Sequence, residues 1–162
     1  MNNFSLHPQL VKDCHILGKL ELCHILLLNN ALIPWFILVP ETSITEFHKL
    51  DPITQQQLLK EINLVSTFIE NNFDITKLNT ATIGNIVRQM HIHIIGRHEN
   101  DYCWPGVAWG RPEKESYKIF NNKLNIFSPM IKPNKNGKCQ LFFKFVRKIM
   151  MELCFYFKKQ KI

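Results

Sequence analysis

The segment Gln89-Met90-His91-Ile92-His93-Ile94-Ile95 alternates polar or imidazole side chains with aliphatic ones. A period of two belongs to a β-strand, in which successive side chains point to opposite faces. Gln89, His91, His93 and Ile95 then share one face, and Met90, Ile92 and Ile94 share the other. The aliphatic face must lie against an apolar layer, which leaves the imidazole face for chemistry. The rest of the chain has to supply the sheet and that layer.

It contains the parts. "FSLHPQLVKDCHIL" (Phe4 to Leu17) shows no clean period and is expected to form a turn and a short helix. "GKLELCHILLLNN" alternates as a strand would, with Leu20, Leu22, His24 and Leu26 on one face and Glu21, Cys23, Ile25 and Leu27 on the other; Asn29 and Asn30 end it as turn residues. "IPWFILVPE" is a continuous apolar run bracketed by Pro34 and Pro40, as in a strand buried on both faces with its prolines at the ends. These two strands, joined by a short connection, predict an antiparallel pair. From Asp51 the period changes. Asp51 is a helix N-cap, Pro52 suits the first helical position, and Leu58, Ile62, Val65 and Ile69 recur at helical spacing. "KLNTATIG" (Lys77 to Gly84) is a short strand, and "ENDYCWPGVAWGRPEKE" an ordered loop rich in Pro, Gly and Trp.

At 162 residues with 46% apolar and 11% aromatic content, the chain suits one domain with a real core. No apolar run approaches the roughly 20 residues of a membrane helix, and no secretory leader pattern opens the chain. Five cysteines without CxxC spacing fit reduced thiols, so the cytoplasm is the expected location. The formal charge of +7 is unevenly spread: 9 Lys/Arg stand against 12 Asp/Glu up to residue 116, and 11 against Glu152 alone afterwards. The expected division is therefore a domain over 1–116 and a basic, aromatic-rich extension over 117–162. In the extension, Leu141, Phe145, Ile149 and Glu152 fall on one leaky helical stripe.

The paired imidazoles admit four readings. They are merely polar residues on a solvated face; they bind a metal, with His98 or Asp101 as third ligand; they belong to a nucleic-acid surface whose basic tail holds phosphates; or one of them is a nucleophile. A neutral His attacks phosphorus through one ring nitrogen when the other donates its proton to a fixed acceptor. A second His two residues on can then hold a phosphate oxygen. The last reading uses every polar residue on the face.

"GNIVRQMHIHIIGR", preceded by "KLN" and followed by "DYCWPGVAWG", resembles the histidine triad (HIT) superfamily, and more narrowly a bacterial branch with Gln at the first triad position. The resemblance runs from about Phe4 to about Pro112 and includes "PWFILVP", the helix and "KLNTATIGN" in the family's order. It implies an α+β fold, an antiparallel sheet with one long helix packed on it, paired as a homodimer. It also implies nucleotide hydrolase or nucleotidyl transferase chemistry on nucleoside polyphosphates, such as diadenosine polyphosphates, or on phosphoramidates, with no cofactor and no metal.

By the same resemblance His91 is the nucleophile that forms a nucleotidyl-imidazole, and His93 contacts the phosphate and assists the leaving group. Gln89 takes the first triad position, where it can donate and accept hydrogen bonds but not titrate. Asn85 and Asn79 fall on phosphate-binding positions, and Asn29 or Asn30 on the ribose-binding one. Trp35 stands where many members carry a further His. Trp104 and Trp109 are expected in a structural or dimer role, and Arg97 either balances phosphate or pairs with Glu99 or Asp101. The competing function is a purine nucleotide-binding module with a weakened site. Nucleic-acid or membrane contact through the tail is the less favoured role for the extension.

Overall fold

The computed structural model describes residues 4–117. The basic stretch and its stripe at Leu141, Phe145, Ile149 and Glu152 lie outside the described residues. The elements run α1 (Pro8–Asp13), β1 (Cys14–Lys19), β2 (Cys23–Leu28), β3 (Trp35–Pro40), a single 3-10 turn (Phe47–Lys49), α2 (Pro52–Asn72), β4 (Lys77–Ala81) and β5 (Ile92–Arg97). The strands form one sheet in the order β1-β2-β3-β5-β4, antiparallel at every pairing. Helix α2 packs on one face, as expected of an α+β fold of this type. Among the described residues no helix is long and apolar enough to cross a membrane.

All six residues of β3 are buried, as its unbroken apolar run requires of a central strand. Toward α2 point Phe36 and Leu38, with Ile25, Leu27, Ile92 and Ile94 beside them and Leu58, Val65 and Ile69 above. On the opposite face Trp35, Ile37 and Val39 join Leu26 and Ile95 beneath Leu10, Val87, Cys103 and Ala108. Helix α2 begins where the sequence places it: Asp51 Oδ1 accepts the N–H groups of Ile53 and Thr54, both at 3.0 Å, and Pro52 opens the first turn. Such a cap contributes about 1 kcal/mol.

Gly96 interrupts β5 for a packing reason. A Cβ there would lie 2.8 Å from the side chains of both Ile75 and Pro34, and its N–H already bonds the Pro34 carbonyl at 2.9 Å.

Two expectations need correction. Residues 14–19, divided in the sequence between an aperiodic stretch and the start of a longer strand, form a strand of their own, paired with β2 through a hairpin at Leu20–Leu22. Leu20 and Leu22 pack on the α2 side with Ile25 and Leu27 rather than with Leu26. The hairpin has no Gly, Asn or Pro at its tip, so the local signals of a turn are missing. Its stabilisation comes from afar: the Glu61 carboxylate on α2 accepts the N–H groups of Leu22 at 2.8 Å and Cys23 at 2.9 Å. Gln57 donates to the same carboxylate at 2.9 Å. Glu61 is 3% exposed, an acid on the apolar stripe of the helix.

Replacing Glu61 by Ala leaves two backbone donors, at half-buried Leu22 and buried Cys23, without acceptors. A loss of about 3 kcal/mol is expected, measured as a lower urea midpoint with an unchanged denaturant slope.

Candidate active site

The face of the sheet opposite α2 carries the imidazoles. β5 begins its ladder at Ile92, opposite Leu38, so Gln89, at a bend, and His91 lie in the lead-in and His93 in the strand proper. The alternation nevertheless holds: Met90, Ile92 and Ile94 face α2, and Val87 and Ile95 face away. His91 and His93 are 6% and 8% exposed, with ring centroids 4.9 Å apart and planes at 74°.

Two hydrogen bonds give the rings opposite tautomers. His91 Nδ1 lies 2.7 Å from the backbone carbonyl oxygen of Gln89. A carbonyl only accepts, so Nδ1 carries the proton and Nε2 keeps its lone pair. For His93 the case is reversed: the Trp35 indole N–H donates to Nδ1 at 2.9 Å, which places the ring proton on Nε2. Burial, with the neighbouring His91 as a smaller contribution, pushes His93 down to a pKa of about 4. The pair therefore offers a nucleophilic nitrogen beside a neutral N–H donor.

The ordered loop after β5 closes over His93. The Trp109 ring meets the rings of His93 at 5.7 Å and Trp35 at 5.6 Å, both edge to face. Its indole N–H is buried with no hydrogen-bond partner among the described residues. Arg97 holds this loop. Its guanidinium takes both oxygens of Asp101, at 2.6 and 3.0 Å, and donates to the Gly106 carbonyl at 3.0 Å; its carbon lies 5.6 Å from the Trp104 ring centre. At 2% exposure, Arg97 faces the interior and pairs with Asp101, not Glu99. Burial works against the Asp101 charge, yet the hydrogen bonds from Arg97 and from the Cys103 and His98 N–H groups outweigh it and hold the carboxyl below its usual range.

The asparagines fall into distinct places. Asn79 lies opposite Ile95, on the imidazole face, and its Oδ1 accepts from Arg97 at 2.8 Å; its amide N–H groups are left as donors among the described residues. Asn85 is exposed in the loop after Gly84, which turns with φ +69°. Asn30 is buried, accepts the Leu32 N–H at 3.2 Å and hydrogen-bonds Tyr102. Asn29 faces another task. Its Oδ1 meets His15 Nε2 at 3.1 Å and the Tyr117 N–H at 3.0 Å, and its amide reaches Ser116 at 3.2 Å, so it tethers the segment that ends at Tyr117. Tyr117, the first residue of the expected extension, is itself buried.

The third ligands considered for a metal are engaged elsewhere. Asp101 is bound by Arg97, and His98 Nδ1 accepts the Asn100 N–H at 3.0 Å. No cluster of three His, Cys, Asp or Glu side chains suited to a metal occurs among the described residues. Among the described residues the cysteines add no nucleophile: Cys14, Cys23 and Cys103 are buried. Burial, then the Asp13 charge, pushes Cys14 up to about 12, and burial chiefly raises the other two.

The Trp35 bond to His93 joins residues 58 positions apart, and the only sequence signal for it was a Trp at a position where a His was expected. The contacts of Gln89 with the backbone of Ser5 and His7 had no signal at all, because backbone groups carry none.

The profile of the HIT domain matches residues 9–100. A histidine triad (HIT) protein from Sinorhizobium meliloti 1021 is 40% identical to this chain, with a TM-score of 0.70 over 72% of it and 87% of its own length. A histidine triad protein from Bradyrhizobium japonicum is 38% identical, with a TM-score of 0.68 over 70% and 85%. One from Marinobacter aquaeolei VT8 is 32% identical, with a TM-score of 0.70 over 93% and 98%. Comparison with curated proteins finds no match.

Replacing Trp35 by Phe removes the donor that favours an unprotonated His93 Nδ1, so the His93 titration should move upward from about 4, followed by the ring C2–H resonance in an NMR pH series. The same depressed pKa makes a stability signature. Below about 6.5 the unfolded imidazole binds a proton that the folded one refuses, so the His93 contribution to unfolding free energy is full above that pH and is lost as pH falls toward 4. Denaturant titrations across this window should show a shallower decline for Trp35→Phe than for the wild type.

Proposed function

This chain belongs to the HIT domain family, and on that premise we propose that it is a nucleotide hydrolase or nucleotidyl transferase acting through a covalent His91 intermediate. One observation carries the reading: adjacent buried imidazoles hold complementary tautomers, a free lone pair on His91 Nε2 and an N–H on His93 Nε2. A solvated polar face has no need of such matching.

The substrates proposed are nucleoside polyphosphates of the diadenosine polyphosphate kind or nucleoside phosphoramidates. His91 Nε2 attacks the α-phosphorus, and the bond from phosphorus to the leaving group breaks with its electron pair on that group; a polyphosphate leaves as the oxyanion, and a phosphoramidate nitrogen takes a proton from solvent and leaves as the neutral amine. The ring gains positive charge as the new N–P bond forms, and the Gln89 carbonyl, bonded to Nδ1–H, stabilises it. Water then attacks phosphorus, loses a proton to solvent and displaces the neutral imidazole, which releases a nucleoside monophosphate. If the acceptor is another nucleophile, the same step is a transfer.

His93 serves as a fixed hydrogen-bond donor. A group with a pKa near 4 is neutral at pH 7, so it stabilises charge on a phosphate oxygen or departing atom without delivering a proton. Asn79, with its oxygen on Arg97, presents donors on the same face, and Asn85 adds an exposed amide in the loop that follows β4. The ribose end of the substrate falls to Asn29 or Asn30, each of which also holds bonds within the fold, Asn29 to residues 116 and 117 and Asn30 to Leu32 and Tyr102.

The test is turnover of diadenosine tetraphosphate and an adenosine phosphoramidate with a chelator present, together with acid-quenched mass measurement of the protein. The wild type should release AMP and carry one nucleotidyl group per chain. His91→Ala should lose both, with kcat down by roughly four orders of magnitude or more. Nucleotide that is held tightly without any adduct would identify a binding module, and an unchanged rate in His91→Ala would remove His91 from the chemistry.

A further inference from the structure

Gln89 occupies the site edge next to His91, yet its side chain is turned away to the N-terminal arm. Oε1 accepts the His7 backbone N–H at 2.8 Å, and Nε2 donates to the Ser5 carbonyl at 2.9 Å. Both polar groups of one amide are thereby fixed to residues more than 80 positions earlier in the chain. The arm is anchored on its other side as well. The Phe4 ring stacks on His24, with centroids 5.3 Å apart and planes at 11°, His24 Nε2 meets Glu41 Oε1 at 2.8 Å, and Leu6 packs into the apolar layer of that face. The backbone carbonyl of the same Gln89 sets the His91 tautomer. Residue 89 precedes the first ladder pair of β5, so the sheet does not hold that carbonyl in place.

We infer that Gln89 is a positioning residue: its amide latches the arm across the edge of the site, and the latch aims the carbonyl that keeps Nδ1–H on His91. This rests on His91 being the nucleophile. The latch explains why an amide suits this position. Gln donates and accepts at every pH. An imidazole does both only while neutral; once protonated, both its nitrogens are donors and neither accepts the His7 N–H. A His here would make the latch open in acid, and Gln removes that dependence.

The experiment compares Gln89→Ala, Gln89→His and His7→Pro with the wild type, first without substrate. Ring 15N shifts at neutral pH report the His91 tautomer, and exchange protection of the His7 amide reports the latch. The wild type should show Nδ1–H at His91 and a protected His7 amide; Gln89→Ala should show mixed tautomers and no protection. His7 already has φ −58° and ψ 135°, values that proline adopts, so His7→Pro removes the N–H with little backbone cost. His7→Ala keeps that N–H and gives up only the ring that accepts from the Gln9 N–H, which separates the latch from the helix cap.

In turnover, Gln89→Ala and His7→Pro should each lower kcat by between about tenfold and about a hundredfold with little change in KM, and the double variant should fall no further than either alone. Gln89→His should approach the wild type at alkaline pH and lose kcat and His7 protection as its new imidazole protonates, relative to wild type at the same pH. A single Nδ1–H tautomer and wild-type kcat in Gln89→Ala, or additive losses in the double variant, would overturn the inference. A wild type that forms no nucleotidyl adduct would overturn the catalytic reading instead, while the tautomer measurement still decides whether Gln89 aims His91.

Discussion

β3 is dry on both faces, and a strand in that condition needs two covers. Helix α2 supplies one with a single apolar stripe, which is the economical way to shield a sheet face. The second cover has no such element. It is assembled from the N-terminal arm, the short helix α1 and the Trp-rich loop after β5, each bringing a few side chains to Trp35, Ile37 and Val39. A cover made from irregular chain brings unpaired backbone groups and polar side chains to the edge of a buried layer. The imidazole pair lies at that edge, where burial is deep enough to shift a pKa and the backbone is irregular enough to offer a carbonyl as hydrogen-bond partner.

Within this layer, orientation matters more than proximity. Two histidines at alternate positions on one strand meet in any sheet. What distinguishes this pair is that each has one nitrogen committed, His91 to a carbonyl and His93 to an indole N–H, leaving the other nitrogens chemically unlike. The Arg97 guanidinium extends the same logic outward: by joining Asp101, Gly106 and Asn79 it holds the Trp loop and β4 in fixed relation to β5. Trp109 is then kept against His93 by a charged network that does not itself touch the imidazoles.

The sequence showed most of the architecture and the bare outline of the site. Asp51-Pro52 marked the helix start to the residue, "WFILVP" marked the central strand, and the period-two segment marked the face of His91 and His93. What stayed hidden was tertiary in origin. β1 was lost because its hairpin is stabilised by Glu61 rather than by turn residues, and an acid on an apolar stripe has no visible purpose until the two backbone N–H groups it accepts are in place. By sequence Arg97 either balances phosphate or pairs with Glu99 or Asp101, and its burial against Asp101 makes it a central anchor. Asn29 and Asn30, indistinguishable in sequence, separate into a tether and a buried turn residue. The partners of Gln89 are main-chain groups of the arm, which no side-chain pattern encodes.

The Glu61 bridge also couples the edge of the sheet to the helix. The hairpin tip is closed locally by the Leu20 N–H on the Cys23 carbonyl at 2.8 Å, but two of its other amides rely on a carboxylate 39 residues further along the chain. Any displacement of α2 therefore takes two hydrogen bonds from the β1–β2 turn, and the stability of that edge is set in part by how firmly the helix is docked.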